Sequence, residues 1–314
     1  MVKVSIIVNC YNGEEYLRDA LDSIYAQTFT DWEVIFFDNN SSDSSGDIAL
    51  SYDSKLKYHF NNKTILLGHA RHEAVKKASG EWIAFLDSDD KWDRRNLETQ
   101  LAVVDGSNYD LSYAGIREVN EKGEFIRECY PLHKSGMIFS QLLNQFDINM
   151  VTPIIKRKFL IDYDLNFDPA ITASEEYNLF MRMAAKGRVC THNEILGEYR
   201  VSENSLTNRS ISKWSIERDY TLSQICDENP CIENKFPNAF REARARGKYY
   251  EARYRMHLGE RKAAIEILNE IKFLNSKYFL LWGASHSKAI WRLIHTNFFK
   301  RKLLFFSKWR WFSC

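Results

Sequence analysis

A strand–loop–helix unit recurs through the first 97 residues, and that recurrence restricts the fold more than any other feature of the chain. The run KVSIIVN (3–9) is β-branched and leads into the turn-prone Asn12-Gly13. Apolar residues Tyr16, Leu17, Ala20, Leu21 and Ile24 then recur at helical spacing over 14–27. A second strand, 32–37, precedes polar DNNSSDSSGD and a helix to about residue 52. A third, 57–60, precedes a helix over 68–78, and a fourth covers 82–86. Strands rich in Val, Ile and Phe alternating with helices predict a mostly parallel α/β sheet, whose ligand sites lie at the carboxyl ends of the strands. The polar clusters 9–12, 38–43 and 87–90 all fall at such ends.

Beyond residue 97 the pattern changes. A hairpin is predicted around the turn Asn120-Glu121-Lys122-Gly123, a helix over 136–144 and a β region over 150–156. The helix over 174–186 has a clear start: Ser174 can cap it, and Glu175 and Glu176 sit in the first turn, where the helix dipole favours negative charge. From residue 211 the sequence reads as helix, with YYEARYRMHLGERKAAIEILNEI forming one hairpin hinged at Gly259 and no second copy to make a repeat array. The 314 residues, 45% of them hydrophobic, suffice for one large domain with an appendage.

Charge separates the C-terminal end from the rest. The formal net charge is +1, yet residues 271–314 hold nine Lys or Arg and no Asp or Glu, which leaves residues 1–270 at −8. Nucleic acid is therefore not an expected partner. The last stretch, FFKRKLLFFSKWRWFSC (298–314), joins five cationic residues to seven Phe or Trp. It reads as a peripheral anchor on an anionic membrane surface, or as a helix whose aromatics pack on the preceding hairpin. No apolar run approaches the roughly 20 residues that span a bilayer. The six cysteines form no CxxC pair, and the N-terminus lacks a signal-peptide layout, so reduced thiols in the cytoplasm are expected.

The densest chemistry is in ASGEWIAFLDSDDKW, where a short strand runs into Asp87, Ser88, Asp89 and Asp90. Carboxylates this close repel one another unless a cation sits among them, and such a pair at a strand end can hold Mg²⁺ or Mn²⁺ while phosphate oxygens and water complete the shell. The alternative is a capping cluster in which Asp90 or Asp93 starts the next helix. Asp38 and Asn39 end the strand expected beside the first, where they could grip a planar base, with Tyr11 offering a stacking face; the alternative is a polar turn with Asp43 as the cap of the next helix. Gly68 can let backbone approach a ligand, and Arg71 can neutralise a phosphate or bond a base. His69 and His72 read as surface histidines.

SIIVNCYN, DNNSSD, GHARHEAVKKASGEWIAFLDSDD and SEEYNLFMRMA, in this order over about the first 200 residues, resemble the motif series of the family 2 glycosyltransferases, which have the GT-A fold. The resemblance implies an α/β fold, a mixed sheet flanked by helices, in a domain over 1–210. A nucleotide-binding half (1–97) and an acceptor-binding half (98–210) would be followed by a helical extension (211–297) and the basic aromatic tail (298–314). It implies a nucleotide-diphosphate-sugar site in which Val8, Asn9, Tyr11, Asp38 and Asn39 hold the base, with Arg71 beside it. Gly68, Asp87 and Ser88 complete the cofactor-binding set, Asp89 ligates Mn²⁺ or Mg²⁺, and Glu176 is the general base. The implied reaction is inverting transfer of a sugar, with a UDP-sugar as donor, to a hydroxyl of a glycan or lipid-linked glycan at the inner face of a bacterial membrane.

Departures from the family pattern accompany these expectations. Asn39 replaces an Asp commonly used to recognise uracil. His72 and Ala74 replace an Asn and a Gly, Glu176 replaces an Asp, and Ser202 stands where many relatives carry a His. Two other readings fit parts of the sequence. In a catalytically degenerate sugar-nucleotide-binding scaffold, Asn39 and Ser202 are the marks of lost activity. In a haloacid-dehalogenase-type phosphotransferase, Asp87 is the nucleophile.

Overall fold

Strands β1 (Val4–Cys10) and β2 (Trp32–Asp38) are buried along their whole lengths. That is why both read as continuous apolar runs and not as alternating ones. The computed structural model describes residues 2–202 and 210–295. β1 pairs in parallel with β2 on one side and with β4 (Trp82–Phe85) on the other, and β3 (Leu56–Phe60) extends the sheet beyond β2. The register sets Ile7 opposite both Ile35 and Phe85. The carboxyl ends of β1, β2 and β4 therefore lie side by side, each where the sequence turns polar. Helix α1 (Glu14–Tyr25) buries Leu17, Ala20, Leu21 and Ile24 in the core on one face of the sheet. The short α2 (Ser45–Leu50) and α3 (Leu67–Val75) complete this half.

Beneath these strands sits a buried polar knot. Glu33 of β2 accepts from Ser5 Oγ at 2.6 Å and from Ser79 Oγ at 2.7 Å, and pairs with Lys57. Gly80 fits there because a Cβ at that position would stand 2.6 Å from the Ser5 backbone nitrogen.

The elements that follow in the chain are β5 (Lys91–Trp92), α4 (Asn96–Val104), β6 (Leu111–Asn120), β7 (Phe125–Cys129), α5 (Phe139–Asn144), β8 (Ile154–Lys156), α6 (Arg157–Asp162), α7 (Glu175–Lys186) and β9 (Val189–Val201), all but α5 belonging to the sheet domain. The strand order is β3-β2-β1-β4-β8-β6-β9-β5, with β7 paired to β6 as the predicted hairpin. β8 runs antiparallel to both β4 and β6, while β6 and β9 are parallel, so the sheet is mixed. β9 was not legible as a strand, because its VCTHNEILGEYRV mixes buried and exposed positions and its pairing shifts register near Gly115. Ser174 stands at the N-cap of α7 and its carbonyl accepts the first helical bond from Asn178 N–H at 3.0 Å, while the expected side-chain cap bond is not formed.

The chain divides into two compact units. The larger takes in the chain through Phe139 and resumes at Asp147; the smaller joins Ser140–Phe146 to the helices from Trp214 onward. The second unit thus claims a segment that the sequence reading left in the acceptor-binding half, and Arg246 holds it by donating to the Asn144 carbonyl at 2.7 Å. Pro237 opens the helix Pro237–His257, and Gly259, at φ +83°, makes the turn into Arg261–Ile271. Tyr249, Ala252, Ala264, Leu268, Tyr278 and Leu281 form its core. No helix among the described residues is long and apolar enough to cross a membrane. The 298–314 tail lies outside the described residues.

Candidate active site

The three polar strand ends are laced together by their own side chains. After β1 the chain turns at Asn12, whose φ of 52° is left-handed, and the Asn12 carboxamide oxygen accepts from Ser42 N–H at 2.8 Å. Gly13 permits the closest approach, since a Cβ there would sit 2.9 Å from both Cys10 Sγ and Ser88 Oγ. That contact places Ser88, in the acidic loop after β4, directly against the loop after β1.

Asp38 and Asn39, expected to grip a base, are buried and bonded to protein. Asp38 accepts from Ser41 N–H and Tyr58 Oη, both at 2.7 Å. Asn39 donates to the Ile65 carbonyl at 2.7 Å and accepts from Ile65 N–H at 3.0 Å. Both brace loops at the strand ends. Val8 packs in the core with no exposed surface, whereas Tyr11 is 55% exposed and keeps an open ring face. Asn9 is buried, and its Nδ2 has no hydrogen-bond partner among the described residues.

Gly68, expected to let backbone approach a ligand, makes a close approach within the protein. A Cβ there would stand 2.8 Å from the Ile171 carbonyl oxygen, so the glycine lets α3 press against the segment leading into α7. His72 bonds to the Phe167 carbonyl at 2.7 Å in the same contact. The packing brings Arg71 of α3 to Glu175 of α7. Arg71, 4% exposed, donates to Glu175 Oε1 at 2.7 Å and to Asp87 Oδ1 at 2.6 Å. Burial works against its charge, but Asp87 and Glu175 hold the guanidinium protonated above its ordinary range. Each terminal nitrogen thus donates to a carboxylate, and Arg71 ties the acidic loop to the first turn of α7.

Glu176 follows immediately. Burial, and then the adjacent Glu175, push its carboxyl up to about 8, with Arg71 partly opposing. In the acidic loop, burial and the neighbouring Asp87 raise Asp89 to about 6, and burial with Asp89 and Asp87 raises Asp90 well above the carboxylate range. Asp90 does not begin a helix: it accepts from Arg200 N–H of β9 at 2.8 Å. Among the described residues no three His, Cys, Asp or Glu side chains converge as a complete metal site. The donor set nevertheless suits a hard divalent cation. Asp87 and Asp89 are oxygen donors, Asp89 forms no ion pair among the described residues, and its upward shift comes from burial first and the Asp87 charge second, both of which a cation offsets. The fit is to an ion whose remaining ligands come from a bound phosphate and water.

The model of the family described as glycosyl transferase family 2 matches residues 5–163, just over half of the chain, and includes the ends of β1, β2 and β4. The chain belongs to glycosyl transferase family 2. An uncharacterized glycosyltransferase of Rickettsia felis is 28% identical over 216 residues, 68% of this chain; the match spans only 35% of that relative's length. A second relative is 28% identical over 233 residues, covering 72% of this chain and 87% of its own. It is the UDP-Glc:alpha-D-GlcNAc-diphosphoundecaprenol beta-1,3-glucosyltransferase WfgD of Escherichia coli. The crystal structure of S. aureus TarS 1-349 in complex with UDP-GlcNAc superposes with a TM-score of 0.68 at 20% identity, covering 94% of this chain and 91% of that one. The GT-A fold, a mixed sheet flanked by helices with a helical C-terminal region, is thereby established.

Within this family 2 fold, two groups at the site escaped the sequence reading. Arg200, near the end of β9, donates from Nε to the Asp89 carbonyl at 3.1 Å and from Nη1 to the Glu121 carbonyl at 3.1 Å, and its guanidinium lies 4.3 Å from the centroid of the Tyr16 ring. It clamps the acidic loop to the β6–β7 turn and to α1. Ser202 donates to Glu121 Oε1 at 2.8 Å nearby. The other is Glu175, read only as a dipole partner. Its ion pair with Arg71 spans 104 positions of sequence, and no local spacing could reveal it.

Proposed function

We propose that the protein is an inverting, divalent-metal-dependent glycosyltransferase. It moves a sugar from a nucleoside-diphosphate donor, a UDP-sugar, to a hydroxyl of a glycan or lipid-linked glycan in bacterial surface polysaccharide or lipopolysaccharide synthesis. The observation that carries this reading is the bridge Asp87–Arg71–Glu175. One buried guanidinium holds the acidic loop and the start of α7 together, which puts Glu176 one residue from a point fixed to that loop.

On this reading Glu176 takes the proton from the attacking acceptor hydroxyl. A carboxyl at about 8 is a far stronger base than an ordinary carboxylate, and a base tuned near the working pH contributes roughly 10²–10⁴-fold. Attack from the side opposite the diphosphate inverts the anomeric configuration. Asp89, with Asp87 and Ser88 alongside, would hold Mn²⁺ or Mg²⁺, which when bound would supply positive charge for the departing diphosphate oxygens. Tyr11 offers its exposed ring to the base, the buried Asn9 Nδ2 offers a donor, and Asp38 and Asn39 act through the loops they brace. Residues 1–97 hold the nucleotide and 98–210 the acceptor. The UDP donor and lipid-linked acceptor are supported by the name of the WfgD relative, which specifies both for that protein. Placement at the inner face of the cell membrane is supported by that acceptor and by the cationic, aromatic composition of 298–314.

The test is a screen of nucleotide sugars for Mn²⁺-dependent thermal stabilisation, followed by assay of slow donor hydrolysis. A ligand at 100 times its dissociation constant adds about 2.7 kcal/mol of stability. A UDP-sugar is expected to raise the melting temperature only with the metal present, and Asp89→Ala to abolish both this shift and the hydrolysis. No shift with any nucleotide sugar would leave the proposal without a substrate.

A further inference from the structure

The last two described helices, Ser276–Ser285 and Lys288–Ile294, each bury one side and expose large apolar residues on the other. Tyr278, Leu281, Ala284 and Trp291 belong to the core of the helical unit. On the solvent side Phe273 is 82% exposed, and Phe279, Leu280, Ile290 and Leu293 are 48–51% exposed. A single exposed Leu is ordinary; five large apolar residues over two short helices and the turn before them require a reason.

Charge identifies what covers them. Between Ile271 and His295 there are four Lys or Arg and no carboxylate. Lys277 turns inward to Glu242 at 3.6 Å, which leaves Lys272, Lys288 and Arg292 among the apolar residues. Lys272 lies 4.8 Å from the Phe273 ring centroid and 4.3 Å from that of Trp282, an arrangement of cation and aromatic that suits a headgroup layer. The sequence then continues into five further cations and seven Phe or Trp. The stretch thus carries no carboxylate of its own to repel an anionic surface.

We propose that this side of the helical unit, and not the 298–314 tail alone, docks on an anionic lipid bilayer. The helices have 10 and 7 residues, far short of a span, so they lie in the interface with Phe273, Phe279, Leu280, Ile290 and Leu293 toward the acyl boundary. The proposal goes beyond the transfer reaction and stands on surface chemistry alone.

The experiment is sedimentation of the full chain with vesicles of phosphatidylglycerol and phosphatidylcholine, or of phosphatidylcholine alone, with no nucleotide sugar present. Binding is expected to the anionic vesicles and to be at least about tenfold weaker to the neutral ones. The triple variant F273S/L280S/L293S is expected to lose about tenfold or more in partition. The exposed pair K288E/R292E gives a second measure, with a similar loss. Unchanged melting temperatures and unchanged donor hydrolysis in solution confirm that both variants fold. Native protein that ignores anionic vesicles overturns the proposal. So do variants that bind as tightly as native protein, an outcome that assigns attachment to the tail. A chain that binds vesicles but uses no nucleotide sugar contradicts only the glycosyltransferase reading; an active enzyme that does not bind contradicts only this one.

Discussion

Arg71 and Glu175 form an ion pair at 2.7 Å with side chains only 5% and 6% exposed, joining α3 to α7 across 104 positions of sequence. Removing the cation leaves a buried carboxylate uncompensated, which costs more than the pair itself is worth. Arg71→Ala is therefore expected to destabilise the fold by about 3–5 kcal/mol. Arg71→Lys retains charge but cannot reach Glu175 and Asp87 with a rigid fork, and is expected to lose activity before stability. Urea unfolding set beside donor hydrolysis separates the two effects.

Glu176→Gln is expected to lower transfer by roughly 10²–10⁴-fold with donor binding preserved, as measured by calorimetric titration beside a rate assay. The pH profile carries a second signature. Burial raises the folded carboxyl to about 8, so the basic form is scarce at pH 6 and kcat/KM should climb through about pH 8. Stability moves the other way. Above pH 4.5 the unfolded carboxyl is ionised while the folded one keeps its proton, so this group's contribution falls as pH rises to about 8. Glu176→Gln should consequently melt higher than native protein at pH 9; a lower melting temperature there contradicts the assignment.

Glu33 gives the opposite sign. Burial works against its charge, but Lys57, Ser5 and Ser79 together hold the carboxyl down at about 2. Its contribution is full above the unfolded value of 4.5 and disappears as pH falls towards 2. Glu33→Gln is expected to cost about 1–3 kcal/mol at pH 7, the lower part of that range allowing for the half-exposed Lys57. The difference from native protein should close near pH 2, which acid titration of the two melting curves checks.

Arg200 touches the acidic loop through the Asp89 carbonyl and holds Asp90 through its own backbone N–H. Arg200→Ala keeps the backbone bond but frees the loop from the β6–β7 turn. Mn²⁺ affinity measured with UDP present is expected to fall about 10–100-fold, the usual cost of losing a group that orients a metal ligand. Unchanged affinity would show that the loop holds its shape without the clamp.

Much of the first 97 residues was legible because the determinants of their fold are local. β1 and β2 announce themselves as apolar runs, α1 by the spacing of Leu17, Leu21 and Ile24, and the strand ends by Asn12-Gly13 and the Asp87–Asp90 cluster. β9 was missed because its two faces meet different surroundings along its length and its register shifts, which breaks the period of two. Gly68 stands out in the sequence as a place where backbone can approach a ligand; the neighbour the fold brings to it is the carbonyl of Ile171, 103 positions away.

The sequence by itself determined the alternation of strands and helices, the polar strand ends and the family, because hydrophobic period and turn chemistry act within a few residues. Only the tertiary structure decided that Arg71 is bonded to Asp87 and Glu175, that Asp38 and Asn39 brace loops, and that Asp90 meets Arg200. Those pairings depend on which buried charges come to share a low-dielectric space, and that is settled by how sheet and helices pack and not by neighbours in the chain.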